Sequence, residues 1–449
     1  MTDLSMEAVT PPRADSSAAQ PALVRAVSRW QIVGLAINDV IGSGVYLLPA
    51  GAALLLGPAS IWAVVLAGLT VALLVLCFAE AASYFEGTGG GYLYTREAFG
   101  EFIGFEVGWM TWLARIASVA ALTAGFAQAV GFVWPPAAGG WPRAALVTLL
   151  LASLAWINVI GVQQGARLAA GLAIAKVLPL VVFVAAGVFA VDWSRVAAAE
   201  LPPLDNLGEA ALLLLFAYAG FENTPAPAGE YQDPKRNVPF ALLTMITIVT
   251  LLYALVQLVA VGTLPGLAQS QSAVAESASL VLGAWAGLMM TIAAMVSIGG
   301  NAGNTTLIGP RYLFALAQDG FGPRALARVH PRYRTPAVAI LTQSGIALVL
   351  ALSGSFVWLA MLSIIARLAT YVGTAAAVPV LRRRFADRPG AWRLPGGVTI
   401  PVAALLLCLV FLASTTLANL VAGAGALGVG ALLYLGRRND ARLEGVDSL

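Results

Sequence analysis

The chain contains few of the residues from which catalytic and metal centres are built. Its 449 residues include two cysteines and one histidine. Cys77 and Cys408 both lie within apolar runs, so a disulfide framework is not indicated. His330 lies in a basic loop, and a histidine-based metal centre needs several such ligands. There is also no Cys–His pair and no phosphate-binding P-loop. The sequence therefore predicts no catalytic residues, no metal and no cofactor, and it argues against an enzyme.

Charge is scarce as well. Only 10% of the residues are charged, whereas 59% are hydrophobic, which is too apolar for a soluble globular protein. Apolar runs of 18 or more residues recur along the chain, and each can cross roughly 30 Å of hydrocarbon. The fold class that this predicts is an all-α polytopic membrane protein. The net charge of +3 comes from the loops, so no nucleic-acid partner is expected.

Hydropathy predicts about twelve membrane spans, with a polar, Ala/Pro-rich tail at 1–28 and a second tail at 437–449. The predicted spans are 30–56, 58–86, 101–134, 143–160, 168–191, 207–230, 238–262, 277–315, 336–354, 356–381, 400–413 and 415–436. An even number places both termini on one side, and most of the 25 Lys and Arg residues then fall on that side. The positive-inside rule predicts cytoplasmic termini and a location in the cytoplasmic (inner) membrane.

The first span contains a stretch that a membrane helix should avoid. Residues 36–51 read AINDVIGSGVYLLPAG and place Asp39 one turn before Gly42, Ser43 and Gly44. Glycine lowers the cost of unwinding, but lipid cannot satisfy the amides and carbonyls that unwinding frees. Such a break persists beside a buried polar cavity, where the half-helix starting near Val45 would direct its amides at an anionic group. The alternative is that the small residues only permit close helix packing.

The sixth span is interrupted at a comparable depth. It reads LLFAYAGFENTPAPAGEYQDPKRNVP, with Gly220, Glu222, Pro225 and Pro227 inside an apolar run. Interruptions at corresponding positions of two halves indicate the binding site of a transporter. The packing alternative becomes much weaker when both breaks are considered together.

Four stretches resemble the amino acid–polyamine–organocation transporter family, and they stand in the family's order. They are IGSGVYLLPAG, GTGGGYLYTREAFGEFIGFEVGW, FAYAGFENTPAPAGEYQDPKRNVP and ALAQDGFGPRALARVHPRYRTPAVAI. The resemblance implies a LeuT-like fold in which helices one and six are unwound in mid-membrane. It also implies two inverted five-helix repeats, at 29–191 and 207–381, followed by two further helices at 400–436.

The resemblance implies where substrate binds. In the family, the α-carboxylate sits on the break of helix one, and the amino group meets carbonyls of both unwound segments. The matching positions are Gly42, Ser43 and Gly44 for the carboxylate, and Val40, Ile41, Phe216 and Ala219 for the amino group.

Two positions depart from the arginine/agmatine exchangers of the family. By spacing from Gly220, Phe216 takes the place of the aromatic lid, which is Trp in those exchangers, and Thr305 aligns with their guanidinium-stacking Trp. The resemblance therefore argues against arginine exchange.

Lys176 stands alone in the apolar fifth span. A lysine there is costly unless it is paired or faces water. In proton-driven relatives a helix-five lysine stands where sodium-driven members bind a cation between helices one and eight. We therefore expect Lys176 to be the proton-coupling group, with a structural ion pair as the alternative and sodium coupling disfavoured.

Three further charges lie in the spans. Glu222 either relays protons or caps amides freed by the break of helix six. We expect Asp39 to pair with Arg115, because two opposite buried charges in one cavity rarely stay apart. That pair favours neutral amino acids. The alternatives are that Asp39 holds a cationic substrate group or that Arg115 holds an anionic one. Arg367 is expected to neutralise another acid or to face a vestibule.

Helix eight carries a polar patch of Asn301, Asn304 and Thr306 within its apolar run. We expect this patch to face helix one and the Lys176 site.

These features together predict a secondary transporter of amino acids, with protons, the lipid bilayer and a small-molecule substrate as its partners. Among the possible transport modes, proton-coupled uptake by alternating access is the leading hypothesis. Polyamine or organic-cation transport, motivated by Asp39 and Glu222, and substrate/product exchange are the alternatives. A channel is disfavoured because no filter-like ring occurs. A substrate sensor is disfavoured because no loop is long enough for a signalling domain.

Overall fold

The structure is a computed structural model that describes residues 27–85, 90–161, 166–197, 202–225, 231–386, 391–394 and 396–444. The tail predicted at 1–28 lies almost entirely outside these residues. The tail predicted at 437–449 begins as a continuation of the last helix, which reaches Glu444.

The described residues form helices joined by short turns, and no β-strand occurs among them. The helices are α1 (Arg29–Val40), α2 (Gly44–Leu56), α3 (Ser60–Ser83), α4 (Gly90–Phe99), α5 (Glu101–Val130), α6 (Gly140–Ile160), α7 (Ala166–Gly187), α8 (Trp193–Ala197), α9 (Leu204–Tyr218), α10 (Pro234–Thr263), α11 (Ala273–Leu282), α12 (Ala284–Gln318), α13 (Ala337–Ser353), α14 (Phe356–Arg384), α15 (Thr399–Ala413) and α16 (Leu417–Glu444).

Eight helical stretches within the described residues are long and apolar enough to cross a membrane. One of them joins α2 and α3 through the turn Gly57–Ala59. Three shorter apolar helices, α11, α13 and α15, accompany the eight. The prediction of a polytopic helical protein is therefore confirmed, whereas the count of twelve spans stays a prediction.

The two helix interruptions lie at the glycine-containing stretches where the sequence predicted them. α1 ends at Val40, Ile41 is extended (φ −72°, ψ 97°), and α2 begins at Gly44. α9 ends at Tyr218 and is followed by Gly220, whose φ of +129° is unfavourable for residues with a Cβ. Beyond it, Phe221–Asn223 form a single 3₁₀ turn.

One predicted boundary was wrong. The span expected at 277–315 is divided between α11 and α12, which meet at Gly283. Gly283 has φ +91° and ψ 169°, a conformation open essentially to glycine alone, which ends α11 and lets the chain change direction.

The interrupted helices pack together in the middle of the helical assembly. α2 lies against α9, and α1 lies against α7 and α10, while α5 packs along α12 and α14. Gly44 permits the contact between α2 and α9, because a Cβ there would stand 2.4 Å from Ala217 Cα. The packing brings both breaks next to α5, α12 and α14.

Candidate functional site

A cavity lies between the two interrupted helices. Its volume is about 40 Å³. That is room for a few water molecules, so an amino acid would require the lining side chains to move apart. The lining residues are Asp39, Val40, Gly42, Ser43, Gly44, Arg115, Ser118, Leu122, Phe216, Ala217, Ala219, Gly220, Asn223, Asn301, Asn304, Thr305 and Arg367.

The break between α1 and α2 presents donors to this cavity. The backbone N–H groups of Gly42 and Ser43 have no acceptor among the described residues. The Ser43 hydroxyl is also buried without a hydrogen-bond partner in that part of the chain. The first amides of α2 lie beside them, at the positive end of the helix dipole. An anionic group is the ligand that this set of donors would bind.

The carbonyls of the same break are partly occupied by protein donors. The Ser297 hydroxyl lies 3.0 Å from both Ile41 O and Gly42 O, to which it donates from α12. The Tyr253 hydroxyl lies 3.3 Å from Val40 O and 3.0 Å from Ala217 O, within donating distance of both interrupted helices.

The two breaks touch directly at Gly220. A Cβ at this position would lie 2.6 Å from Asp39 O, so only glycine allows the approach. This contact explains why Gly220 is needed both for its backbone conformation and for its lack of a side chain.

Lys176 is fully buried and connects three helices. Its ammonium donates to Asn38 O at 3.0 Å and to Asn301 Oδ1 at 2.9 Å. None of the ion pairs among the described residues includes Lys176. The alternative of a structural ion pair therefore lacks a partner within the described chain. Instead, the ammonium meets a carbonyl in the last turn of α1, at the negative end of its dipole.

Two asparagines of α12 hold Asp39 in place. Asn301 Nδ2 donates to Asp39 O at 3.1 Å, while the other end of the same amide accepts from Lys176. Asn304 Nδ2 donates to the Asp39 carboxylate at 2.9 Å. The sequence predicted that this polar patch faces helix one and Lys176, and Asn301 and Asn304 have these contacts. Thr306, the third member of the predicted patch, bonds instead to Ala302 O within its own helix.

The expected ion pair between Asp39 and Arg115 is not formed. Arg115 Nη2 lies 3.3 Å from Glu222 Oε1 and also donates to Asn223 Oδ1. Arg367 forms a second ion pair with the same Glu222 oxygen. Glu222 attracts both arginines because the 3₁₀ turn after α9 places its carboxylate between α5 and α14, whereas Asp39 faces α12.

Glu222 also caps the break of helix six. Its other carboxylate oxygen accepts from Gly220 N at 3.0 Å and from the Tyr371 hydroxyl at 3.3 Å. This geometry is the capping role that the sequence offered as one of two interpretations. It also identifies the acid that Arg367 neutralises.

All but three of the predicted site residues line the cavity. Ile41 is fully buried beside Ser297, Glu222 lies behind the two arginines, and Lys176 lies on the far side of α1. Phe216 lines the cavity and packs edge-on against Phe356, with ring centroids 5.9 Å apart.

Several lining residues were not among the predicted substrate-binding residues. They are Ser118, Leu122, Ala217, Asn223, Asn301, Asn304 and Arg367. Arg367 and the two asparagines could be recognised in the sequence as candidates, because polar side chains inside apolar spans require partners. Leu122 and Ala217 carried none, since they are indistinguishable from lipid-facing or core residues in the sequence.

Comparison with known proteins gives matches over most of the chain. The family model described as "Amino acid permease" matches residues 27–430 of the chain. The branched-chain amino acid permease BcaP of Bacillus subtilis (strain 168) is 29% identical over 424 residues, covering 88% of this chain and 89% of that protein.

Two further relatives come from the same organism. The methylthioribose transporter is 28% identical over 445 residues, covering 92% of this chain and 93% of that protein. The serine/threonine exchanger SteT is 29% identical over 396 residues, covering 86% and 90% respectively. The names of these three relatives give three different kinds of substrate, so similarity to them does not identify the substrate of this chain.

Proposed function

The chain belongs to the amino acid permease family and is an integral membrane transporter, and we propose that it carries amino acids into the cell together with protons. The proposal places substrate in the cavity between the two interrupted helices and moves it by alternating access. Residues of both helices would then contact the substrate at once.

The observation that carries the proposal is the arrangement of unpaired polar groups at the first break. The amides of Gly42 and Ser43, together with the Ser43 hydroxyl, suit an α-carboxylate. The Asp39 carboxylate and nearby carbonyls on the same cavity wall suit an α-ammonium group. A zwitterionic amino acid is complementary to both.

The proton-coupling role is proposed for Lys176. Its ammonium joins α7 to the last turn of α1 and, through Asn301, to α12. A neutral amine would hold a neutral carbonyl and a neutral amide oxygen less strongly than an ammonium does. Loss of the proton would therefore weaken the connection of α1 to its neighbours and link protonation to movement of the broken helix.

The finer architecture is proposed on the same basis. The interruptions after Val40 and after Tyr218 support a LeuT-like arrangement of two inverted repeats, 29–191 and 207–381, with two more helices at 400–436. The distribution of Lys and Arg supports cytoplasmic termini.

Exchange is the second candidate function, because one relative is named a serine/threonine exchanger. Polyamine transport loses one of its two supports, since the Glu222 carboxylate is already engaged by two arginines and is not open to a cationic substrate.

Uptake into proteoliposomes tests the proposal. Purified protein would be offered a labelled panel of acidic, neutral and basic amino acids and polyamines, with and without an inward proton gradient. Gradient-dependent accumulation of an amino acid is expected. Uptake only into substrate-preloaded vesicles would favour the exchanger, and transport of polyamines alone would overturn the proposal. Protein-free liposomes give the background.

The role of Lys176 makes a separate prediction. Lys176→Gln keeps a donor but cannot lose a proton in the physiological range, so the accumulation ratio should fall to its value without a gradient. Exchange of labelled for unlabelled substrate should persist. Lys235→Gln is the matched control, because Lys235 is the other lysine of the chain and does not line the cavity. Normal pH-dependent accumulation by Lys176→Gln would overturn the coupling role.

A further inference from the structure

The cavity is surrounded by an unequal number of acidic and basic groups. Among the described residues, Asp39 and Glu222 are the carboxylates that bond to side chains lining the cavity, whereas Lys176, Arg115 and Arg367 are the bases there. With every group ionised, one positive charge among these described residues has no counter-charge. A buried charge is normally balanced, because leaving it alone in a low-dielectric environment is costly.

The excess lies on the arginine side of the cavity. Arg115 and Arg367 share the single oxygen Oε1 of Glu222, and the remaining oxygen accepts from Gly220 N and Tyr371. Four donors leave the Glu222 carboxylate with no capacity for further strong hydrogen bonds. It therefore cannot satisfy the remaining N–H groups of either arginine.

Each arginine retains unused donors. Nε of Arg115 and Nε of Arg367 are both buried and have no hydrogen-bond partner among the described residues. Within the part of the chain that the structure describes, Arg115 donates through Nη2 alone. Arg367 donates through Nη1 to Glu222 and through Nη2 to Ser118 Oγ at 2.8 Å. Two guanidinium groups with free donors on one cavity wall are an incomplete anion site.

The rest of the cavity is already suited to the two charges that every amino acid carries. The amides of Gly42 and Ser43 suit the α-carboxylate, and Asp39 suits the α-ammonium group. Arg115 and Arg367 then lie in the same cavity without an assigned substrate group.

We propose that Arg115 and Arg367 form a subsite for an anionic side chain, so that the transported substrate is a dicarboxylic amino acid. This inference rests on the proposed function, that the cavity binds an amino acid. A side-chain carboxylate has the planar pair of oxygens that guanidinium donors match, and it supplies the missing negative charge. A polyamine would instead add positive charge to a cavity that already has an excess.

The ion-pair arrangement makes single substitutions informative. Arg115→Gln leaves Glu222 paired with Arg367, and Arg367→Gln leaves it paired with Arg115. In either variant Glu222 keeps one arginine as its ion-pair partner, so the buried carboxylate is not left without a counter-charge. Arg195→Gln is the matched control, because Arg195 is partly exposed and pairs with Asp192 away from the cavity.

The experiment compares L-glutamate and L-aspartate with L-glutamine and L-asparagine, which have nearly the same shape but no side-chain charge. Transport or competition by each would be measured in proteoliposomes containing the full-length protein and each variant. The wild-type protein should prefer the acidic member of each pair by about tenfold or more, the expected effect of charge-assisted hydrogen bonds. Arg115→Gln and Arg367→Gln should each lower that preference about tenfold without abolishing amide transport, and Arg195→Gln should leave it unchanged.

The outcomes separate this inference from the proposed function. Accumulation of neutral amino acids with equal or weaker recognition of glutamate and aspartate would overturn the anionic subsite and leave the amino acid transporter intact. Acidic preference that survives in both arginine variants would overturn the assignment to Arg115 and Arg367. Failure of every amino acid to be transported or to compete would overturn both proposals.

Discussion

Two buried glutamates, Glu80 and Glu222, each accept four hydrogen bonds and each join distant parts of the chain. Glu80, at the end of α3, accepts from Arg382 Nε and Nη2 at 2.8 and 2.6 Å, from the Tyr84 hydroxyl at 2.9 Å and from Leu394 N at 2.9 Å. Glu222 accepts from two arginines instead of one. The number of donors is the same at both sites, but the charges differ.

The difference separates a structural site from the proposed binding site. At Glu80 one acid forms a bidentate ion pair with one base, Arg382. The pair balances the two charges and fixes α3 to the end of α14. At Glu222 the second arginine leaves both charge and N–H donors unsatisfied next to a cavity. Unsatisfied charge and hydrogen-bond donors of this kind are expected where a ligand supplies the missing partners.

Removing the base at the balanced site should have the largest effect. Arg382→Gln leaves the fully buried Glu80 carboxylate without a counter-charge, so the free energy of unfolding should fall by about 3 kcal/mol. Detergent-solubilised protein unfolded with increasing SDS would report it. The exposed Arg195→Gln should change the same quantity by less than about 0.5 kcal/mol. Equal losses in the two variants would refute the structural role of the Glu80–Arg382 pair.

The tyrosines at the two sites allow a finer comparison. Tyr84→Phe removes a 2.9 Å hydrogen bond to Glu80 and should lower the free energy of unfolding by about 1.5 kcal/mol. Tyr371→Phe removes a longer bond, 3.3 Å, to a carboxylate that two arginines already engage, and should cost about 0.5 kcal/mol. Both substitutions remove one buried hydroxyl, so SDS unfolding compares like with like. A larger loss for Tyr371→Phe would reverse the ranking of the two sites.

Only a small effect on stability is expected for Arg367→Gln, although Arg367 is a buried ion-pair partner of Glu222. Glu222 keeps Arg115, and the excess positive charge disappears, so the free energy of unfolding should change by less than about 1 kcal/mol. The same substitution at Arg382 is its direct counterpart. If both arginine substitutions destabilise the protein by similar amounts, Arg367 is structural in the same sense as Arg382.

The backbone features of the site were largely predictable from the sequence. Glycine and proline inside apolar spans marked both helix breaks, because these residues have special conformational costs wherever they occur. The division of the eighth predicted span was missed, since Gly283 reads as an ordinary glycine until its positive φ is known.

The charge pairing was not predictable in the same way. Arg115 is 107 residues from Glu222 and 76 residues from Asp39, and both acids lie in interrupted spans. Which one it meets depends on the side of the cavity that each carboxylate faces. Asp39 is directed to α12 by Asn304, and the 3₁₀ turn carries Glu222 towards α5. Those orientations arise from packing, which a single sequence does not specify.

The Tyr253 hydroxyl has one hydrogen and two carbonyls within reach, Val40 O in the first interrupted helix and Ala217 O in the second. It can donate that hydrogen to only one of them at a time. The two helices therefore share one donor, and the shorter distance favours Ala217 O. If the proposed alternating access separates α1 from α9, the hydroxyl keeps one of the two carbonyls as its acceptor, so the separation would not leave this buried donor unpaired.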